Sequence, residues 1–178
     1  TGGDGGSISI TNGGSGGINI QSTTNIAVAP TTSGVGGSVT LNAGSGVLTI
    51  PVSAGVATST IEASAIGAGN KNGGSITLSG TGVNVTGGVA LNLKANAVGT
   101  GNGGTISVTS AGAANDINVA NVAGGIVISA TGGSGASAAG NGGTVSLNAG
   151  RDVIVQPGQL LAGPQGTNGN GANYNLTA

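Results

Sequence analysis

One phrase recurs along this chain and constrains it more than any other feature: Gly-Gly, then Ser or Thr, then alternating apolar and polar residues. It begins at Gly5, Gly36, Gly73, Gly103 and Gly142, with a degenerate copy at Gly171, so successive units run 31, 37, 30, 39 and 29 residues. A period of this size marks a stack of repeats in which each unit packs on its neighbours. The first strand of each unit reads Ser7-Ile8-Ser9-Ile10, Ser38-Val39-Thr40-Leu41, Ser75-Ile76-Thr77-Leu78, Thr105-Ile106-Ser107-Val108 and Thr144-Val145-Ser146-Leu147. Strict alternation with β-branched residues is the pattern of a half-buried strand, and here it turns Ile, Val and Leu inward and hydroxyls outward.

A second strand follows at 17–20, 47–50, 82–85, 116–119 and 152–155, and a weaker third at 26–29, 61–64, 91–94, 126–129 and 160–163. Three strands per unit predict a three-faced coil. Variable loops such as 65–72 and 131–141 absorb the differences in length, and Pro30, Pro51 and Pro157 fall after strands, where a missing donor does little harm. Strands of this kind bury their apolar face only when stacked at about 4.8 Å, so five coils would rise roughly 24 Å as three parallel sheets around a dry interior. The fold expected is all-β: a right-handed parallel β-helix, or β-solenoid, of about five three-strand coils. The handedness follows from the general rule for parallel connections. It occupies 1–178 as a single domain, with a partial sixth coil from 171. Helix is excluded by the lack of a 3.6-residue stripe and by the glycine content.

Composition agrees with that reading. The chain holds 41 Gly and a single aromatic residue, Tyr174, and no Trp, Phe, Met, Cys or His. An ordinary globular core cannot be built from this, yet 37% of the residues are apolar, more than a disordered chain carries. Charged residues make up only 4%. Without Cys there are no disulfide staples, thiolate metal sites or thiol nucleophiles. No apolar run approaches the length of a transmembrane helix.

The run 140–158, Gly-Asn-Gly-Gly-Thr-Val-Ser-Leu-Asn-Ala-Gly-Arg-Asp-Val-Ile-Val-Gln-Pro-Gly, resembles the repeats of filamentous haemagglutinin-like bacterial adhesins. Gly3-Asp4-Gly5-Gly6-Ser7-Ile8-Ser9-Ile10 and Gly101-Asn102-Gly103-Gly104-Thr105-Ile106-Ser107-Val108 are similar to the coil starts of those proteins. The resemblance covers all five coils. It implies a right-handed β-helix, export by two-partner secretion, and a role in attachment or surface coats.

The residues that carry chemistry are few. The charged ones are Asp4, Glu62, Lys71, Lys94, Asp116, Arg151 and Asp152. Glycosidases and lyases need clustered carboxylates, and the one near-vertical pair is Asp116 with Asp152 in adjacent coils. These are expected to be corner residues bonded to local backbone, with Arg151 beside them solvated or paired to a carboxylate. Calcium repeats need an Asp in every turn, and only the first unit has one, Asp4. The Gly-rich stretches lack the Lys-Ser/Thr of a phosphate loop, and three basic residues with one Tyr offer no nucleic-acid surface. No catalytic, cofactor or metal residues are assigned, and the chain is read as non-catalytic. The sequons at Asn84 and Asn175 are attributed to an Asn- and Thr-rich composition, and Tyr174 is expected to plug an end of the core.

The best-specified surface is the array of hydroxyls Ser7, Ser9, Ser38, Thr40, Ser75, Thr77, Thr105, Ser107, Thr144 and Ser146, which predicts a flat, regular, neutral face. It serves β-propensity and solubility first. Its functional readings are contact with a glycan or a host or abiotic surface, lateral packing of solenoids, or ice binding. A start at Thr1 within a Gly-rich stretch suggests a processed subunit or a window of a longer protein, and the lack of obvious caps suggests end-to-end or lateral self-association. The function expected is an extracellular structural or adhesive solenoid of a bacterial surface adhesin, filament or sheath. The alternatives are an ice-binding solenoid and a carbohydrate-active enzyme.

Overall fold

The architecture follows from where the alternating strands stack. The computed structural model describes residues 2–20, 25–52, 59–135 and 139–178. Of the expected loop 131–141, residues 136–138 lie outside those described. The chain is all-β, without helix among the described residues, and its strands form parallel sheets stacked as a β-solenoid.

The first sheet is continuous through six rungs: β1 (Ser7–Thr11), β4 (Ser38–Asn42), β7 (Ser75–Gly80), β10 (Thr105–Ser110), β13 (Thr144–Ala149) and β16 (Asn173–Thr177). Each rung is in register with the next, so that Ile8, Val39, Ile76, Ile106, Val145 and Tyr174 form one inward column and Ile10, Leu41, Leu78, Val108, Leu147 and Leu176 another. From Val39 to Leu147 these side chains are buried to within 1% exposure, which is the dry interior that the alternation predicts.

The second face of the first three coils is a short sheet of β2 (Ile18–Asn19), β5 (Val47–Val52) and β8 (Gly82–Gly87). The third face holds β3 (Ile26–Ala27), β6 (Ser59–Glu62), β9 (Leu91–Lys94) and β12 (Ile126–Ser129), with β15 (Leu160–Leu161) paired to β12. The second face does not run the length of the stack. The strands β11 (Ile117–Val119) and β14 (Val153–Val155) pair with each other and join the third sheet through Val119 and Ile126, leaving β8 as the edge of its own sheet. Corner length accounts for this. The corner before β8 is Thr81 alone, whereas the corner before β11 spans 111–116. Since β7 and β10 are locked in register, the extra residues displace β11. Polar groups fill the break: the buried Ser110 Oγ accepts from the Val83 N–H at 3.2 Å, and Asn115 Nδ2 donates to the Thr81 carbonyl at 2.8 Å.

Pro51, expected beyond its strand, lies inside β5 opposite Thr86. It shares the parity of Thr49, whose carbonyl accepts from the Ile20 N–H of the first coil. The prolyl nitrogen therefore faces the first coil, where β2 has already ended at Asn19, and no strand bond among the described residues is lost.

The repeated diglycine answers to close approach rather than to left-handed backbone. The positive-φ glycines, Gly17, Gly44, Gly67, Gly69, Gly87, Gly99, Gly124 and Gly158, all lie outside it. At the corner between third and first faces the second glycine donates to a carbonyl at the end of a third-face strand: Gly74 to Ala63 at 2.9 Å, Gly104 to Ala95 at 2.8 Å, Gly143 to Ala130 at 3.0 Å. A Cβ on Gly74 would overlap the backbone oxygens of Gly37 and Ala63, and one on Gly104 that of Gly74. Replacing Gly74 by Ala should therefore destabilise the chain by about 3 kcal/mol through backbone overpacking. Gly3→Ala, where a Cβ meets nothing within 4 Å, should stay within about 0.5 kcal/mol of the parent. Urea unfolding midpoints of the two variants check this, and equal midpoints would refute the role given to the diglycine.

Candidate functional site

All ten hydroxyl residues singled out from the sequence lie on the outer side of the six-rung sheet. The first column is Ser7, Ser38, Ser75, Thr105 and Thr144, continued by Asn173, and the second is Ser9, Thr40, Thr77, Ser107 and Ser146, continued by Asn175. They are exposed or half-buried, and none is buried. Lateral bonds tie some of them together: Ser7 Oγ and Ser38 Oγ are 2.8 Å apart, and Asn175 Nδ2 donates to Ser146 Oγ at 3.4 Å.

A third outward column, Thr11, Asn42, Ser79, Thr109, Asn148 and Thr177, extends the face and was not anticipated. Its signal was available, because the period-two alternation simply continues one step past each four-residue motif. The three columns carry hydroxyl and amide groups and no charge. Beside the first column the diglycine pairs of the first three coils bound a shallow groove of about 480 Å³, with Ser7, Ser38 and Ser75 on its rim.

On the far side of the diglycines runs a ladder the sequence reading missed. The residue before each pair is Asp4, Val35, Asn72, Asn102, Asn141 or Asn170. At four of these positions the side-chain oxygen accepts from the backbone N–H of the equivalent residue one coil on, Asp4 Oδ1 from Val35 at 3.1 Å, Asn72 Oδ1 from Asn102 at 2.8 Å, Asn102 Oδ1 from Asn141 at 3.0 Å and Asn141 Oδ1 from Asn170 at 2.9 Å, while Val35, without an acceptor, interrupts the column. Asp4 is thus the first rung of a backbone-capping column. A second, shorter polar spine runs along the third face, where Asn96 Oδ1 accepts from the Thr131 N–H and from the hydroxyls of Ser129 and Thr131.

The structure brings Asp116 and Asp152 together across adjacent coils, with Arg151 between them. Arg151 Nε donates to Asp116 Oδ1 at 2.6 Å and its Nη2 pairs with Asp116 Oδ2, while Asp116 Oδ1 also accepts from the Asp152 N–H at 3.2 Å. The hydrogen bond from Arg151 holds the Asp116 carboxyl below the usual carboxylate range, and the same bond raises Arg151. A carboxylate engaged on both oxygens by a guanidinium is a poor proton shuttle, so the arrangement ties two coils rather than forming an acid/base dyad. Among the described residues no three Asp, Glu, His or Cys side chains gather to hold a metal ion. Asn84 is exposed on β8, and Tyr174 lies in an inward column with its hydroxyl accepting from the Ala162 N–H at 3.1 Å, spanning the mouth of the core.

A second recess, of about 290 Å³, lies beside the sheet break, between the turn 88–90 and the loop 120–125, with Asn92, Val127 and Gln159 on its floor. No helix among the described residues is long and apolar enough to cross a membrane. No family model, curated protein or solved structure matches this chain.

Asn102→Ala removes the acceptor that caps Asn141 and should lower stability by about 1 kcal/mol, whereas Asn102→Asp, which keeps an acceptor as Asp4 does, should lose less; chemical unfolding separates the two. Because the Asp116 carboxyl is lowered on folding, its contribution is complete above the ordinary value of 3.8 and is lost as pH falls through the lower folded value. In an Arg151→Gln variant, Asp116 should titrate closer to 3.8 by carboxyl-carbon NMR; an unchanged titration would show that Arg151 is not the cause.

Proposed function

We propose that this chain is a non-catalytic, extracellular structural and adhesive module, part of a bacterial surface adhesin, filament or sheath, that meets its target through the hydroxyl face. The observation that carries the reading is the register of that face: three neutral columns held in line over six rungs by continuous parallel pairing. Such an array matches a repetitive, uncharged partner, with a glycan or another solenoid foremost, because it presents donors and acceptors at a fixed spacing and nothing that selects by charge. The resemblance of the repeats to filamentous haemagglutinin-like adhesins supports the same reading. So does the use of Asp4, Asp116 and Arg151 in bonds between coils, which leaves little for chemistry.

The proposal includes self-association. The inward residues of the outermost rungs are open, with Ile10, Val155, Tyr174 and Leu176 each 40–47% exposed where their interior counterparts are closed. A further coil, from the same chain or from another copy, would cover them. Regular spacing also favours a second reading, ice binding, although Ser, Thr and Asn alternate in the columns and no uniform row of methyl groups results.

Co-sedimentation with insoluble polysaccharides tests the face. The 178-residue chain should pellet with the polymer, and a Thr40→Lys, Thr77→Lys, Ser107→Lys variant should lose at least about tenfold in affinity, as expected when charges are set into a neutral contact, while keeping its circular dichroism. Equal binding by parent and variant would overturn the assignment of the face, and thermal hysteresis by the parent alone would replace it with ice binding.

A further inference from the structure

Six Asn-Gly pairs occur in the chain, at Asn12, Asn72, Asn102, Asn141, Asn168 and Asn170. An Asn followed by Gly is the pair most open to self-modification, since no side chain shields the glycine nitrogen. Hydroxide removes the glycine N–H proton, the nitrogen attacks the Asn Cγ, and the bond from Cγ to the side-chain nitrogen breaks with release of ammonia. Water then opens the resulting cyclic imide at either carbonyl to give aspartate or isoaspartate. The reaction needs a free glycine N–H and a Cγ able to swing toward it.

Inside the stack both requirements are denied. The N–H of Gly73 donates to the Asn102 carbonyl at 3.0 Å, that of Gly103 to Asn141 at 2.9 Å and that of Gly142 to Asn170 at 2.9 Å. The side chains of Asn72, Asn102 and Asn141 are each held by the N–H of the next rung at 2.8–3.0 Å. Asn12 is tethered through its side chain alone, from Nδ2 to the Gly17 carbonyl and from the Gly14 N–H to Oδ1. Asn168 and Asn170 differ. Both are exposed, and among the described residues neither side chain has a partner and the N–H groups of Gly169 and Gly171 find no acceptor. Asn168 also stands at φ +68°, the single non-glycine in the left-handed region among the described residues.

We infer that Asn168 and Asn170 are sites of spontaneous deamidation, and that the ladder shields Asn72, Asn102 and Asn141. Exposure alone would not give this division, since Asn72 and Asn102 are exposed too. Conversion at 168 adds a negative charge to a chain of net charge −1 and, as isoaspartate, an extra backbone methylene in the connection that leads to β16. The molecule then ages at that connection while its stack stays intact.

The test is peptide mass mapping, with isoaspartate detection, of the folded 178-residue chain during incubation in mildly alkaline buffer, beside the same chain in concentrated urea. In urea all six pairs should convert at similar rates. In the folded chain Asn168 and Asn170 should convert while Asn72, Asn102 and Asn141 lag by at least about tenfold, the factor that about 1.4 kcal/mol of local opening produces. Conversion of Asn72 or Asn102 at the pace of Asn168 in the folded chain would overturn the inference, as would retention of both Asn168 and Asn170 while the unfolded chain reacts. Neither result depends on what the hydroxyl face binds.

Discussion

Everything regular in this molecule depends on the closeness with which backbone meets backbone at the diglycine corner. There the N–H of the second glycine reaches a carbonyl at the end of a third-face strand, and the same bond pinches the base of the loop between them: 64–73 between Ala63 and Gly74, 96–103 between Ala95 and Gly104, 131–142 between Ala130 and Gly143. A loop pinched at its base can change in length without moving the rung that follows. Part of the difference between units lies in these loops beyond the pinch, and the first sheet continues through six rungs without a slip. Any side chain at Gly74 or Gly104 would stand where a carbonyl oxygen stands, so the corner admits no substitute that preserves the approach.

That constraint passes directly to the surface. In a parallel stack a one-residue slip would exchange inner and outer columns, turning Ile76 and Leu78 to water and Thr77 to the core. Fixed register is therefore what converts a mixture of Ser, Thr and Asn into three straight columns. The corner between first and second faces lacks this device, and its length is free to act on the fold. With Thr81 alone in the third coil and 111–116 in the fourth, β11 cannot lie over β8, and the second face divides. The recess beside the loop 120–125 lies at this divide.

How much of this could be read in advance follows the range of the interactions involved. The first sheet was legible because period-two alternation is local, and the ten hydroxyl residues came with it. The third column lies beyond a four-residue strand motif, and β7, β10 and β13 run to six. The break at β11 was not legible, since corner length acts only once the neighbouring rung is fixed. The Asn ladder sits between these cases. Asn precedes the diglycine or its equivalent in four units, but its partner lies 29–39 residues away, and only the stacked register shows that each side chain caps the next rung's N–H. The bond between Asp116 and Arg151 has the same character, with partners 35 residues apart.

Register also explains why charge is so scarce. In a solenoid, whatever stands on an outward column is repeated about every 4.8 Å by its neighbours. Two like charges at that separation repel by about 1 kcal/mol in water and about 3 kcal/mol at the effective dielectric of a protein surface, and a column of them adds such terms rung after rung. Neutral donors and acceptors escape this. An Asn column gives a rung the acceptor that a carboxylate would give, without the repulsion, and the lone Asp4 has the uncharged Val35 as its neighbour in the column. The charges that remain obey the same logic. Glu62 and Lys94, of opposite sign, face each other in register on the third sheet, and the close pair of like sign, Asp116 and Asp152, has Arg151 set between. A face that must stay flat and repeat itself is thus driven toward Ser, Thr and Asn by the stack's own electrostatics, and a partner that recognises it has hydroxyls, amides and spacing to read.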